Sequence, residues 1–75
     1  MSSHGTVRIK IDELLQSYKI SKSKLCHRAE LQHTQLNNLC KNKTTRLDTD
    51  VLARICFAMN CRIEDLLEYV PPTEE

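Results

Sequence analysis

Ser23–Leu39, SKLCHRAELQHTQLNNL, is the stretch whose reading decides the fold. It holds two short apolar repeats at helical spacing, Leu25-Cys26-Ala29 and Leu36-Leu39, with Cys40 at the margin of the second. Only two or three residues separate them, and none is proline or glycine. Ser21 is a good N-cap, so a helix is expected from Lys22 to about Ala29. Leu31 falls in the turn, and the second repeat predicts a helix from about His33 to Cys40. One face of that helix is given to polar side chains, and its purpose is the question the stretch raises.

Working outward, Val7-Arg8-Ile9-Lys10-Ile11 alternates apolar and basic residues, the period of a short strand or extended arm. Asp12 and Glu13 open a helix, where carboxylates suit the positive end of the dipole. Ile11, Leu14, Leu15 and Tyr18 form its apolar stripe. After the polar, basic loop Lys41–Arg46, Leu47 re-enters the core and Asp48 caps a helix to about Met59. Leu52, Ile55, Cys56 and Met59 are its inward set, at i, i+3, i+4 and i+7. Asn60 suits a C-terminal turn. A short fifth helix covers Ile63 to about Leu67, and Pro71-Pro72 stops the chain. The fold class is therefore all-α, a compact five-helix bundle. Val7–Ile9 and Leu67–Val70 are the only extended apolar segments, so a short two-stranded ribbon from the termini is a further expectation. Residues 1–6 are set apart as disordered or a cloning remnant, 7–70 form the domain, and 71–75 form a flexible tail.

Seventy-five residues make one domain at most, near the lower end of what folds alone. With one Gly and two Pro, the chain lacks the punctuation of a many-turned β-sandwich. There is no run of about 18 apolar residues to span a membrane, and no secretory signal is visible. The expected location is therefore the cytoplasm, where the four cysteines stay reduced. Cys26, His27, His33 and Cys40 can be drawn as a zinc set, but their spacing matches none of the usual short chelating pairs. Core packing is the preferred reading of the cysteines, and no metal or cofactor is expected.

The net charge of +1 hides a division. Residues 1–47 carry nine basic and three acidic side chains, a net of +6. Residues 48–75 carry two basic and seven acidic ones, a net of −5. Such a split suits one face for a polyanion and another turned away from it. Two helices joined by a three- or four-residue turn cross steeply, so the first can lie over a DNA backbone while the second enters the major groove. Counting from Lys22 as position one, Cys26 falls at five, Leu36 at fifteen and Leu39 at eighteen. The small side chain lets the helices approach, and the two leucines anchor the second from beneath.

On those residues, and on LARICFAMNCRIEDLLEYV at 52–70, the chain resembles the lambda-repressor/Cro-type, or Xre-like, helix-turn-helix regulators. The resemblance runs from Val7 to Val70 and is greatest to small stand-alone members. It implies a five-helix bundle with helices two and three as the motif. The sequence departs from the family in two places. Glu30 stands where the turn usually has Gly, which costs about 1 kcal/mol if the residue is left-handed. Gln32 stands where Ser or Thr usually precedes the third helix, and Gln caps poorly.

By position, the resemblance implies that Gln32, His33, Thr34, Asn37 and Asn38 read base edges, with Gln35 at the margin. The chemistry agrees: amides pair bidentately with adenine, and Thr offers a hydroxyl or a methyl. Solvated helix faces more often carry Glu and Lys, since Asn and Thr are poor helix formers. Lys22, Lys24, Arg28, Lys41, Asn42, Lys43 and Thr44 are the phosphate candidates, and Arg8 and Lys10 a weaker arm. No nucleophile comes with a matching base and orienting acid, so no catalytic residue is assigned.

The function implied is a transcriptional regulator, chiefly a repressor, of bacterial, phage or mobile-element origin. Its partner would be a pseudo-palindromic duplex operator, bound as a homodimer. Phe57, Tyr69 and Val70 are candidate dimer contacts, with core burial the competing explanation for each. The rival is an antitoxin-like or adaptor module that holds a protein partner with its acidic half, residues 48–75.

Overall fold

The structure is a computed structural model that describes residues 3–42 and 46–73. The chain runs β1 (Thr6–Ile9), α1 (Ile11–Tyr18), α2 (Lys22–Ala29), α3 (His33–Cys40), α4 (Thr49–Met59), α5 (Ile63–Leu66) and β2 (Leu67–Val70). The five helices and the ribbon agree with the sequence reading. The two strands pair antiparallel, with Val7 opposite Tyr69 and Ile9 opposite Leu67.

Local chemistry starts α2 and α4 where the sequence placed them. Ser21 Oγ accepts the Lys24 N–H at 3.1 Å, and Asp48 Oδ1 accepts the Asp50 N–H at 2.9 Å. Gln32 makes no side-chain cap, as its chemistry foretold. The helix ends show the consequence of a chain with a single glycine. Lys19, Glu30 and Asn60 close α1, α2 and α4 at φ near +55°, in the left-handed region. There the Ile20, Leu31 and Cys61 N–H groups reach back to the carbonyls of Leu15, Cys26 and Cys56. These Schellman-type closures satisfy carbonyls that would otherwise be orphaned. Each non-glycine residue in that region sacrifices roughly 1 kcal/mol of stability.

Ile11, Leu25, Leu36, Ile55 and Leu66 are the fully buried centre, one residue from each helix. Leu15, Cys26, Ala29, Leu39, Leu52 and Met59 complete most of the expected core. Val51 is also buried, a position the i, i+3, i+4 pattern did not include. Three assignments change. Tyr18 is 42% exposed, because α1 ends there and only Ile11 and Leu15 reach the interior. Cys56 is half-buried at the edge of the core, not inside it. Phe57 is 89% exposed, so core burial does not explain it.

Residues 3–6, set apart in the sequence reading, include structured positions. The strand begins at Thr6, and the Tyr69 hydroxyl donates to the His4 carbonyl at 2.8 Å. Gly5 has φ +80, and a Cβ there would collide with the Val70 carbonyl.

All four cysteines are unpaired thiols. Burial, followed by the neighbouring Cys56, pushes the Cys61 thiol up to about 11, which suits a packing role.

Candidate nucleic-acid interface

The third helix is held from below and open above. Leu36 and Leu39 are buried and Cys40 half-buried, which fixes the roll of α3 on the core. A helix advances about 100° per residue, so the side opposite Leu36 carries Thr34, Asn38 and Lys41 in one column. All three are exposed. Gln35 is exposed beside that column and borders an open groove of about 200 Å³ toward Arg46 and the start of α4. Gln32 and His33 are exposed at the leading end. From Gln32 to Asn42 there is no carboxylate, and across the groove Asp48 is accompanied by Arg46.

Asn37 is placed differently. It is half-buried on the flank turned toward α2, where Lys22 Nζ donates to its Oδ1 at 3.4 Å. That long contact joins the start of α2 to the middle of α3. Of the six base-reading candidates, the structure therefore gathers five on the exposed face and sets Asn37 at its edge.

The phosphate candidates separate more widely. Lys22 sits beside α3, Lys24 is exposed in the first turn of α2, and Lys41 ends the exposed column of α3. Arg28 lies elsewhere, on the rim of a depression shared with Phe57 of α4. The Asn42 amide is already engaged. Its Oδ1 accepts the Ile9 N–H at 2.6 Å and its Nδ2 donates to the Ile9 carbonyl at 3.2 Å. This pairing ties the end of α3 to β1, and Asn42 adopts φ 57, which asparagine tolerates better than most residues. The amide that the sequence offered to a phosphate is thus bonded to a strand. Lys43 and Thr44 lie outside the described residues.

The basic arm is also corrected for Arg8. Its Nε and Nη2 donate to Glu68 Oε1 at 3.0 and 2.8 Å, and its Nη1 donates to Glu13 Oε1 at 2.9 Å. Hydrogen bonding to Arg8 holds the Glu13 carboxyl below its ordinary range. The guanidinium is therefore neutralised across the ribbon and α1.

Arg54 was not singled out from sequence, yet it governs the turn between α2 and α3. Its Nη1 donates to the Ala29 carbonyl at 3.2 Å and the Glu30 carbonyl at 3.0 Å. A cation at the C-terminal end of α2 complements the helix dipole. Arg54 Nε lies 3.2 Å from Asp50 Oδ2, an ion-pair distance, but it is buried without a well-aligned hydrogen bond. We read the contact as charge attraction alone, because hydrogen bonds weaken steeply when misaligned. The clamp holds Glu30 in the left-handed region where the resemblance leads one to expect Gly.

Among the described residues, no group of three or more His, Cys, Asp or Glu side chains is gathered to hold a metal ion. No helix among them is long and apolar enough to cross a membrane.

No curated protein matches the chain. The family model for the Cro/C1-type HTH DNA-binding domain matches residues 10–72. That span contains the α2–turn–α3 unit, the helices beneath it and the second ribbon strand. With α3 presented as an uninterrupted polar face on a leucine-anchored helix, the match and the geometry agree, and the chain belongs to the family of Cro/C1-type helix-turn-helix DNA-binding domains.

Proposed function

We propose that this DNA-binding domain is a transcriptional repressor of bacterial, phage or mobile-element origin, acting in the bacterial cytoplasm. It lays α3 in the major groove and binds an inverted-repeat operator as a homodimer. Thr34 and Asn38 are the central base-reading residues, with Gln32, His33 and Gln35 around them and Asn37 at the margin. Lys22, Lys24 and Lys41 contact phosphates. Lys43 and Thr44 join them on sequence grounds alone, Arg28 stays with them one turn beyond Lys24 on the same side of α2, and Asn42 is set aside because its amide bonds Ile9. Two-fold pairing would place the half-sites one helical turn, ~34 Å, apart.

The observation that carries this reading is the exposed column Thr34–Asn38–Lys41 on a helix without a carboxylate. The acidic side chains of residues 48–73 give the protein-partner reading little support. Every carboxylate between residues 48 and 73 has a role inside the chain. Asp48 caps α4, and Asp50 faces Arg54. Glu64 pairs with Arg62, Asp65 accepts the Arg62 N–H, and Glu68 holds Arg8.

Selection of bound duplexes from a random pool tests the proposal, with affinity of the enriched duplex followed against salt. An enriched inverted repeat, with affinity falling steeply as salt rises, is the expected result. The Thr34→Ala, Asn38→Ala double variant should lose about 30-fold or more in affinity for that duplex, since each good base contact is worth about 1–3 kcal/mol and two are removed. Binding without sequence enrichment, or full affinity in the double variant, would overturn it.

A further inference from the structure

Phe57 is the most exposed of the large apolar side chains, at 89%, and nothing in the fold accounts for it. One turn earlier on the same outer stripe of α4, Ala53 is exposed and small. Between α4 and the end of α2 lies an open depression of about 340 Å³, lined by Ala29 and Ala53 and rimmed by Arg28, Glu30, Arg54 and Phe57 itself. A knob and a hole therefore sit side by side, about 6 Å apart along the helix.

We propose that this patch is the surface through which two copies of the chain pair, with Phe57 of each seated in the depression of the other. The inference rests on the homodimer reading above and names its interface. A two-fold axis sets a patch against itself, so a patch with adjacent knob and hole is self-complementary. Its charges permit the pairing. Arg28, Arg54 and Glu30 line the depression and Asp50 faces Arg54 beside it, so charges of both signs are present and the two copies do not meet as like charges. The exposed face of α3 carries neutral polar side chains and Lys41, with no apolar knob to offer a copy of itself. The rim guanidiniums can also flank an incoming phenyl ring, a favourable cation–π arrangement.

The buried area sets the strength. Two phenyl rings contribute roughly 300–500 Å², and the small rim adds little. The total stays below the ~1,200 Å² of a standard interface. The dimer is therefore weak, and the shared operator completes it by raising the effective concentration of the second copy.

Sedimentation velocity of the full chain tests this from micromolar concentrations up to about 1 mM. The wild type should shift from monomer to dimer across that range. Phe57→Glu should raise the dimer dissociation constant ~30-fold or more, as for a central aromatic contact, with an unchanged melting temperature because the residue is exposed. Ala53→Leu, which fills the hole and suits a helix, should weaken the dimer as well. A photoreactive phenylalanine analogue at position 57 should crosslink to the partner near Ala53. A wild type that stays monomeric throughout, Phe57→Glu dimerising as the wild type does, or crosslinks confined to the ribbon would each overturn the inference. On DNA, Phe57→Glu should keep wild-type affinity for one half-site and lose it only on the inverted repeat. Loss on the half-site too would also overturn it. If the wild type bound no duplex at all, the operator reading would fail, while sedimentation and crosslinking would still decide the interface.

Discussion

Replacing Arg54 with methionine keeps most of the side-chain volume and removes the clamp on the α2–α3 turn. Two carbonyls lose a charged donor, at 3.2 and 3.0 Å. Hydrogen bonds to charged groups contribute about 1.5–3 kcal/mol, and the cation at a helix C-terminus about 0.3–1 kcal/mol. The exposed i, i+4 pair with Asp50 adds about 0.3–0.5 kcal/mol. Against these, the variant no longer buries a poorly satisfied Nε, a relief of about 1–3 kcal/mol. The side chain is also 35% exposed, so water replaces part of what is lost. The net loss should be about 2 kcal/mol. For a domain of this size that lowers the melting temperature by roughly 8–16 °C. Thermal and urea melts by circular dichroism measure it. Arg54→Lys should fall between the two, because an ammonium keeps the charge without the planar fork. A loss below about 0.5 kcal/mol, or an equal loss in Asp50→Ala, would refute the reasoning: the first would deny the clamp, the second would place its worth in the ion pair.

Two further perturbations test other contacts. Asn42→Ala removes both bonds to Ile9 and replaces, at φ 57, a residue that tolerates the left-handed region with one that does so less well, so it should cost about 2–3 kcal/mol in the same melts. A variant within about 0.5 kcal/mol of wild type would mean that the amide is better regarded as a DNA contact after all. Glu13 titrates in the folded state below the ordinary glutamate value, because its hydrogen bond to Arg8 holds the ionised form. Its contribution is therefore fully present above that value and fades as pH falls through the lower folded pKa. The melting-temperature gap between wild type and Glu13→Gln should be open at pH 7 and close in acid. A gap that persists unchanged at the acid end would rule out the Arg8 pairing as its source.

Sequence alone reached the elements whose causes are local. Ser21 and Asp48 announce helix starts because their side chains bond N–H groups two or three residues on. Leu25, Leu36 and Ile55 declare an inward face because a 3.6-residue period is written in adjacent turns. The polar face of α3 was legible for the same reason: it is what remains once Leu36 and Leu39 are turned inward. The ribbon could be suspected from two extended apolar segments.

Tertiary structure decided whatever depends on partners far along the chain. Arg54 meets carbonyls 24 and 25 residues away, Asn42 meets Ile9 at a separation of 33, and Arg8 meets Glu68 at 60. At each of these positions the sequence shows only a polar residue in a basic or amphipathic segment. Whether it faces DNA or holds the fold follows from which backbone it meets after folding. Phe57 is the converse case. Its chemistry suggests the core, but the 100° step of α4 carries it past Ile55 and Met59 to the surface. Pattern along the chain determined the helices and their faces; the closing of the chain on itself determined which charged and apolar groups were left to face outward.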